Sequence, residues 1–164
     1  MNVAVICTGN ICRSPMGEIL LREAIAAEAD LASVVSVTSA GTAHWHVDKP
    51  MDPRAAGALR RAGLPTDATH GIFATADFLV GVDLNVVMTK EHRRDILERH
   101  PAAEVLLVRE LLGHGEMDVP DPYYGNDADF DECLATLSAV TPLVVAEIRS
   151  RLRDPGAFRP ATSN

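Results

Sequence analysis

Four short runs dominated by apolar and β-branched residues recur along the chain, at 2–6, 34–39, 84–88 and 105–108. Between them apolar positions return every three or four residues. The runs predict buried strands and the intervals predict amphipathic helices. The first helix is expected to start at Ser14 and Pro15, a good N-cap followed by a residue suited to the first turn, and to end near Asp30. Its inner side would carry Ile19, Leu20, Ala24, Ile25 and Ala27. Further helices are expected at 54–62, stopped by Gly63 and Pro65, at 76–80, at 90–100, closed by Pro101, and at 130–152, where Pro142 is placed to kink the last of them. Long Pro, Gly and Asp-rich stretches at 40–53 and 113–127 read as loops.

Strands alternating with helices predict a single α/β domain, a four-stranded parallel sheet flanked by helices on both faces with right-handed crossovers. The domain is assigned to residues 1–154, with 155–164 as a C-terminal tail. Ligands of such sheets bind at the carboxyl ends of the strands, where Cys7 follows the first run.

The chemistry begins there. In "VAVICTGNICRSP" a strand meets a glycine-bearing loop that opens into a helix, a geometry that turns backbone N–H groups and a helix N-terminus toward an anion. The same field favours the thiolate of Cys7. Arg13 lies six residues after Cys7, and its planar fork can hold two oxygens of a tetrahedral oxyanion. Gly9 allows close backbone approach or positive φ, Asn10 tolerates a left-handed conformation, and Ser14 can donate to the thiolate. The loop therefore predicts phosphoryl transfer through a cysteinyl phosphate, with Thr8, Gly9, Asn10, Ile11, Cys12 and Ser14 holding the phosphate. A leaving oxygen needs a proton, and "DVPDPYYGND" offers carboxylates for that task, Asp118 and Asp121 among them, in a stretch that by itself reads as a turn.

Composition narrows the partners. A chain of 164 residues with 47% hydrophobic residues suits one core. A net charge of −8 and a sequence pI near 5.1 exclude general affinity for nucleic acid. No run of 18 apolar residues and no signal-peptide pattern is seen, so neither membrane insertion nor Sec export is expected. The cytoplasm is the expected location, with signal-independent export left open. Three cysteines without paired spacing suggest free thiols and no zinc site, and Cys133 reads as core. His44, His46, His100 and His114 form no metal-ligand grouping and read as surface residues.

With these residues in view, "CTGNICRSP" near one end and "DPYYG" near the other, the chain resembles the low-molecular-weight protein-tyrosine phosphatases, in their bacterial form, over nearly its full length. The resemblance implies Cys7 as nucleophile, Arg13 as oxyanion clamp and Asp121 as general acid and then base, with no metal or organic cofactor. It implies a deep aromatic slot walled by Trp45, Tyr123 and Tyr124, with Ser39 bonding Asn10 and His70 supporting the phosphate loop from beneath. Cys12 would be near enough to Cys7 for a reversible disulfide. The implied partners are tyrosine-phosphorylated proteins; beside them, Tyr123 or Tyr124 could itself accept phosphate from a tyrosine kinase, and a monomer is the expected state. Thr89 and His92 depart from the family's pattern after the third strand. Two rivals stand beside this reading. A thiol-dependent arsenate reductase would need further cysteines around 73–89, where none occur. An idle phosphotyrosine reader would have no need of Cys7, Arg13 and Asp121 together.

Overall fold

The structure, a computed structural model, describes residues 1–68, 70–113 and 117–154. The expected tail at 155–164 and His114 lie outside the described residues. Parallel strands β1 (Asn2–Cys7), β2 (Ser36–Gly41), β3 (Leu84–Val87) and β4 (Val105–Leu107) form one sheet in the order β2-β1-β3-β4. Helices α1 (Arg13–Ala26), α2 (Pro53–Arg61), α3 (Ala76–Val80), α4 (Lys90–Arg99) and α5 (Asp127–Arg153) surround it. Short 3-10 turns follow at Val108–Leu112 and Pro122–Tyr124.

Period-two alternation divides the core into two layers. Val3, Val5 and Cys7 of β1 join Leu84, Val86 and the α1 and α5 residues Met16, Ile19, Phe130 and Leu137 on one face. Ala4 and Ile6 join Val87, Leu107, Leu79 of α3 and Ile96 of α4 on the other. The central strand is therefore buried on both sides, as a parallel sheet requires. Because β2 and β3 pair with opposite edges of β1, the loop that follows Cys7 leaves the sheet where the strand order reverses.

Several boundaries moved. Helix α1 begins at Arg13 on the backbone of Cys12, with no side-chain cap, because the Ser14 hydroxyl is engaged elsewhere. It ends at Ala26, and Ala27 is exposed, while Met16 and Leu21 face inward instead. Strand β2 sits two residues later than expected, since 34–35 still belong to the turn that closes onto Leu31. Helix α5 starts three residues before Phe130, at a capping box in which Ala128 N–H donates to Asn126 Oδ1 at 2.8 Å and Asn126 N–H to Asp129 Oδ2 at 2.6 Å. It runs on past Pro142, an exposed position, although that residue has no N–H to give the carbonyl of Ser138, itself an exposed residue. Among the described residues α5 is long and apolar enough to span a bilayer, but its stripe of Phe130, Leu134, Leu137, Val140, Val144 and Ile148 is buried in the core.

Candidate active site

The loop after β1 wraps around a cavity of about 310 Å³ lined by Cys7, Thr8, Gly9, Ile11, Cys12, Arg13, Trp45, His46, Asp121, Tyr123 and Tyr124. The turn is built by a division of labour between Gly9 and Asn10. Asn10 carries the positive φ, at 54°. Gly9 lets the His46 ring lie close over the loop, since a Cβ there would stand 2.9 Å from His46 Cδ2 and push that side chain aside.

A continuous hydrogen-bond chain supports the loop from below. Cys7 Sγ lies 3.0 Å from Ser14 Oγ, and Asn10 Nδ2 donates to both Ser14 Oγ and Ser39 Oγ at 2.8 Å. Ser39 Oγ donates in turn to Glu18 Oε2 at 2.6 Å. Asn10 Oδ1 accepts from the backbone N–H of Ile72 at 2.8 Å. The side chains of Asn10 and Ser14 thus shape the loop from beneath, and neither lines the cavity itself. His70 is corrected: it lies exposed, and the Ile72 backbone takes the supporting place expected of it. Glu18 escaped the sequence reading. It is buried, with Arg22 as its ion-pair partner at 3.3 Å, and its only local signal was a position one helical turn after Ser14.

Arg13 is itself buried and holds the two halves of the site together. Its Nη1 donates to Val119 O at 3.1 Å, and its Nη2 to Asp121 Oδ2 at 2.6 Å and Thr8 Oγ1 at 3.3 Å. Its Nε has no hydrogen-bond partner among the described residues, although it is shielded from solvent. An oxyanion in the cradle is the natural acceptor for such a group. Asp118 accepts from Lys90 N–H at 2.8 Å, at the start of α4, and does not line the cavity. Of the two carboxylates, Asp121 is the one that faces Cys7's cavity.

The rim is aromatic. Trp45 is 69% exposed, which excludes a role as an anchor over the core. Tyr123 and Tyr124 meet edge to face at 5.0 Å, and the His46 ring lies 6.4 Å from Tyr123. His46 was expected to be an ordinary surface residue, and its place in the wall became visible only when the 42–50 loop folded back over Gly9. Arg54 is a second residue the sequence did not mark. It forks onto Asp52, stacks over Tyr123 and Phe130, and donates to Gly125 O at 3.1 Å, which ties α2 to the turn bearing the tyrosines. The Arg54 hydrogen bond holds Asp52 below the usual carboxylate range. Burial pushes the Cys12 thiol up, with Asp52 adding to the effect, and pushes Cys133 up to about 12, so neither is a thiolate near neutrality. Cys7, Cys12 and Cys133 are all free thiols.

A buried thiol at a strand end, under a helix N-terminus and beside an arginine, places the protein among the α/β phosphatases that use a cysteine nucleophile. Comparison with known sequences and structures sharpens this. The family described as low molecular weight phosphotyrosine protein phosphatase matches residues 2–153. The low molecular weight protein-tyrosine phosphatase A of Mycobacterium tuberculosis is 40% identical over 148 residues, spanning 87% of this chain and 88% of that one. The low molecular weight protein-tyrosine-phosphatase of Streptomyces coelicolor is 36% identical, spanning 94% and 98%. Among solved structures, the arginine phosphatase YwlE of Bacillus subtilis, captured with a phosphorylated active-site serine, superimposes with a TM-score of 0.81 at 26% identity, covering 93% of this chain and 99% of that one. The chain belongs to the low molecular weight phosphotyrosine protein phosphatase family.

Proposed function

We propose that the protein hydrolyses phosphotyrosine monoesters in proteins, with Cys7 as nucleophile, Arg13 as oxyanion clamp and Asp121 as general acid and base. The observation that carries the assignment is the placement of Cys7 and Arg13 in one cavity with Asp121 at 2.6 Å from the guanidinium and aromatic side chains at its mouth. Cys7 Sγ attacks phosphorus while the bond to the tyrosyl oxygen breaks, and Asp121 gives that oxygen its proton. Water then attacks the phosphocysteine, Asp121 takes a proton from it, and the thiolate leaves with release of inorganic phosphate. The charge that develops on the phosphoryl oxygens falls to Arg13 and the loop N–H groups.

The aromatic side chains of Trp45, Tyr123 and Tyr124 beside the cavity support tyrosine selectivity, since they can receive the ring of an aryl ester and find nothing to stack on in a seryl ester. Thr8, Gly9, Ile11 and Cys12 would contact the phosphoryl group, and Trp45, Tyr123 and Tyr124 the ring. Tyr124 is 94% exposed, which suits it as an acceptor for a tyrosine kinase. The test is phosphate release from matched phosphotyrosine, phosphoserine and phosphoarginine peptides by the reduced protein, with Cys7→Ser as control. Tyrosine-selective turnover that Cys7→Ser abolishes is expected. Selective release from phosphoarginine would redirect the substrate assignment, and undiminished turnover by Cys7→Ser would remove the nucleophile.

A further inference from the structure

His92 departs from the family pattern noted in the sequence, and the structure gives it an unusual setting. It occupies the first turn of α4, its backbone N–H donating to Thr89 Oγ1 at 3.1 Å, and its side chain is only 2% exposed. The ring reaches across the sheet edge so that Nε2 stands 2.9 Å from Thr8 Oγ1, 84 residues away in the chain. The other ring nitrogen, Nδ1, is buried with no hydrogen-bond partner among the described residues. Thr8 lines the cavity, and its hydroxyl oxygen also receives Arg13 Nη2 at 3.3 Å.

These contacts constrain where the protons lie. Arginine only donates, so one lone pair of Thr8 Oγ1 is taken by Arg13. If the imidazole carried its proton on Nδ1, that N–H would be a buried donor with nothing to bond, the least tolerated kind of unsatisfied group. With the proton on Nε2, the ring donates to Thr8, only a bare lone pair is left unpaired at Nδ1, and both lone pairs of the threonine oxygen are filled. The Thr8 proton is then excluded from Arg13 and from His92, and the direction left to it is the cavity. Burial, and then the charge of Arg13, push the imidazole down to about 3, so the ring is neutral at working pH and the tautomer is the only variable.

We propose that His92 is a positioning residue which, as the Nε2–H tautomer, turns the Thr8 hydroxyl into a hydrogen-bond donor aimed at an oxygen of the phosphoryl group. The inference rests on the phosphatase reading above. In it Thr8 touches the substrate and His92 acts through Thr8.

Two measurements decide it. In the folded, unmutated protein, the ring-nitrogen NMR shifts of His92 should show Nε2 protonated and Nδ1 bare. A protonated Nδ1 would overturn the proposal whatever the variants do. In steady-state kinetics on a phosphotyrosine peptide, Thr8→Val and His92→Leu should each lower kcat/KM about tenfold, the loss of one hydrogen bond to a charged group. The double variant should be no worse than either single one. His92→Gln, which can return an N–H donor toward Thr8, should recover most of the loss, whereas a packing role alone would leave Gln no better than Leu. Losses that multiply to about a hundredfold in the double variant would overturn the coupling. If the unmutated protein turns over no phosphotyrosine peptide, the phosphatase reading fails, and the tautomer still reports whether His92 donates to Thr8.

Discussion

Asp121 and Arg13 are 108 residues apart in sequence and 2.6 Å apart in space. Asp121 is partly exposed in this pair, so the ion pair itself adds at most about 1 kcal/mol to stability. Its value is chemical: it holds the carboxyl beside the clamp that grips the phosphoryl group. Asp121→Asn should therefore leave the melting temperature nearly unchanged and lower kcat on a phosphotyrosine peptide by about 10²- to 10³-fold. The loss should shrink as the leaving phenol becomes more acidic and needs its proton less, so a series of aryl phosphates measured with both proteins checks the role. A uniform loss across that series would mean that Asp121 positions Arg13 and transfers no proton. Cys7, Arg13 and their spacing could be read directly from the chain. Glu18 could not, because a glutamate in a helix is ordinarily a solvated face, and only burial against Ser39 marks this one as different.

At the scale of elements, the site depends on how closely β2 approaches the phosphate loop. The end of β2 at Gly41 is bonded on both sides, its N–H to Ile72 O at 2.7 Å and its carbonyl to Ala74 N–H at 2.9 Å. A Cβ on Gly41 would lie 2.6 Å from the carbonyl oxygen of Thr8 and 3.2 Å from the nitrogen of Asn10, both backbone atoms. Neither strand nor loop can give way without breaking its ladder. Gly41→Ala should cost about 1–3 kcal/mol, lowering the melting temperature by about 3–10 °C, and should reduce kcat because the displaced loop no longer aims its N–H groups. A variant that melts normally and turns over normally would show that the loop tolerates a shift of this size. The sequence placed the turn after the second strand correctly in kind but not this contact, since "SAGT" reads as loop entry until β1 lies beside it. Ser14 gives the same lesson at a helix end. Its type predicted a cap, and Asn10 and Cys7 claim its hydroxyl first.

Across the whole molecule, the buried His92 couples stability to acidity. Its folded-state pKa is pushed down to about 3, against 6.5 in an exposed chain. Between those values the unfolded chain binds a proton that the folded protein refuses. The stability from keeping the ring neutral is therefore fully present above pH 6.5 and is lost as pH falls, by about 1.4 kcal/mol per unit. Urea unfolding at pH 7.5 and pH 5 should show the unmutated protein losing about 2 kcal/mol more than His92→Gln over that interval. Equal losses in the two proteins would mean that water or a carboxylate relieves the buried imidazole.

What the sequence determined by itself is local. β-branched runs, a helical apolar period, a glycine and an asparagine in a tight loop, and a cysteine six residues before an arginine fix a strand, a phosphate loop and a helix within one short stretch, because sterics and backbone hydrogen bonding act between near neighbours. The same local rules allowed the sheet order to be left open and the fold class to be named. Only the tertiary structure decided which distant groups meet: Asp121 with Arg13, Ser39 with Glu18, Thr8 with His92, and Ile72 with Asn10. A polar group taken out of water must find a partner. Which partner it finds depends on how the layers pack, and no window of sequence contains that packing.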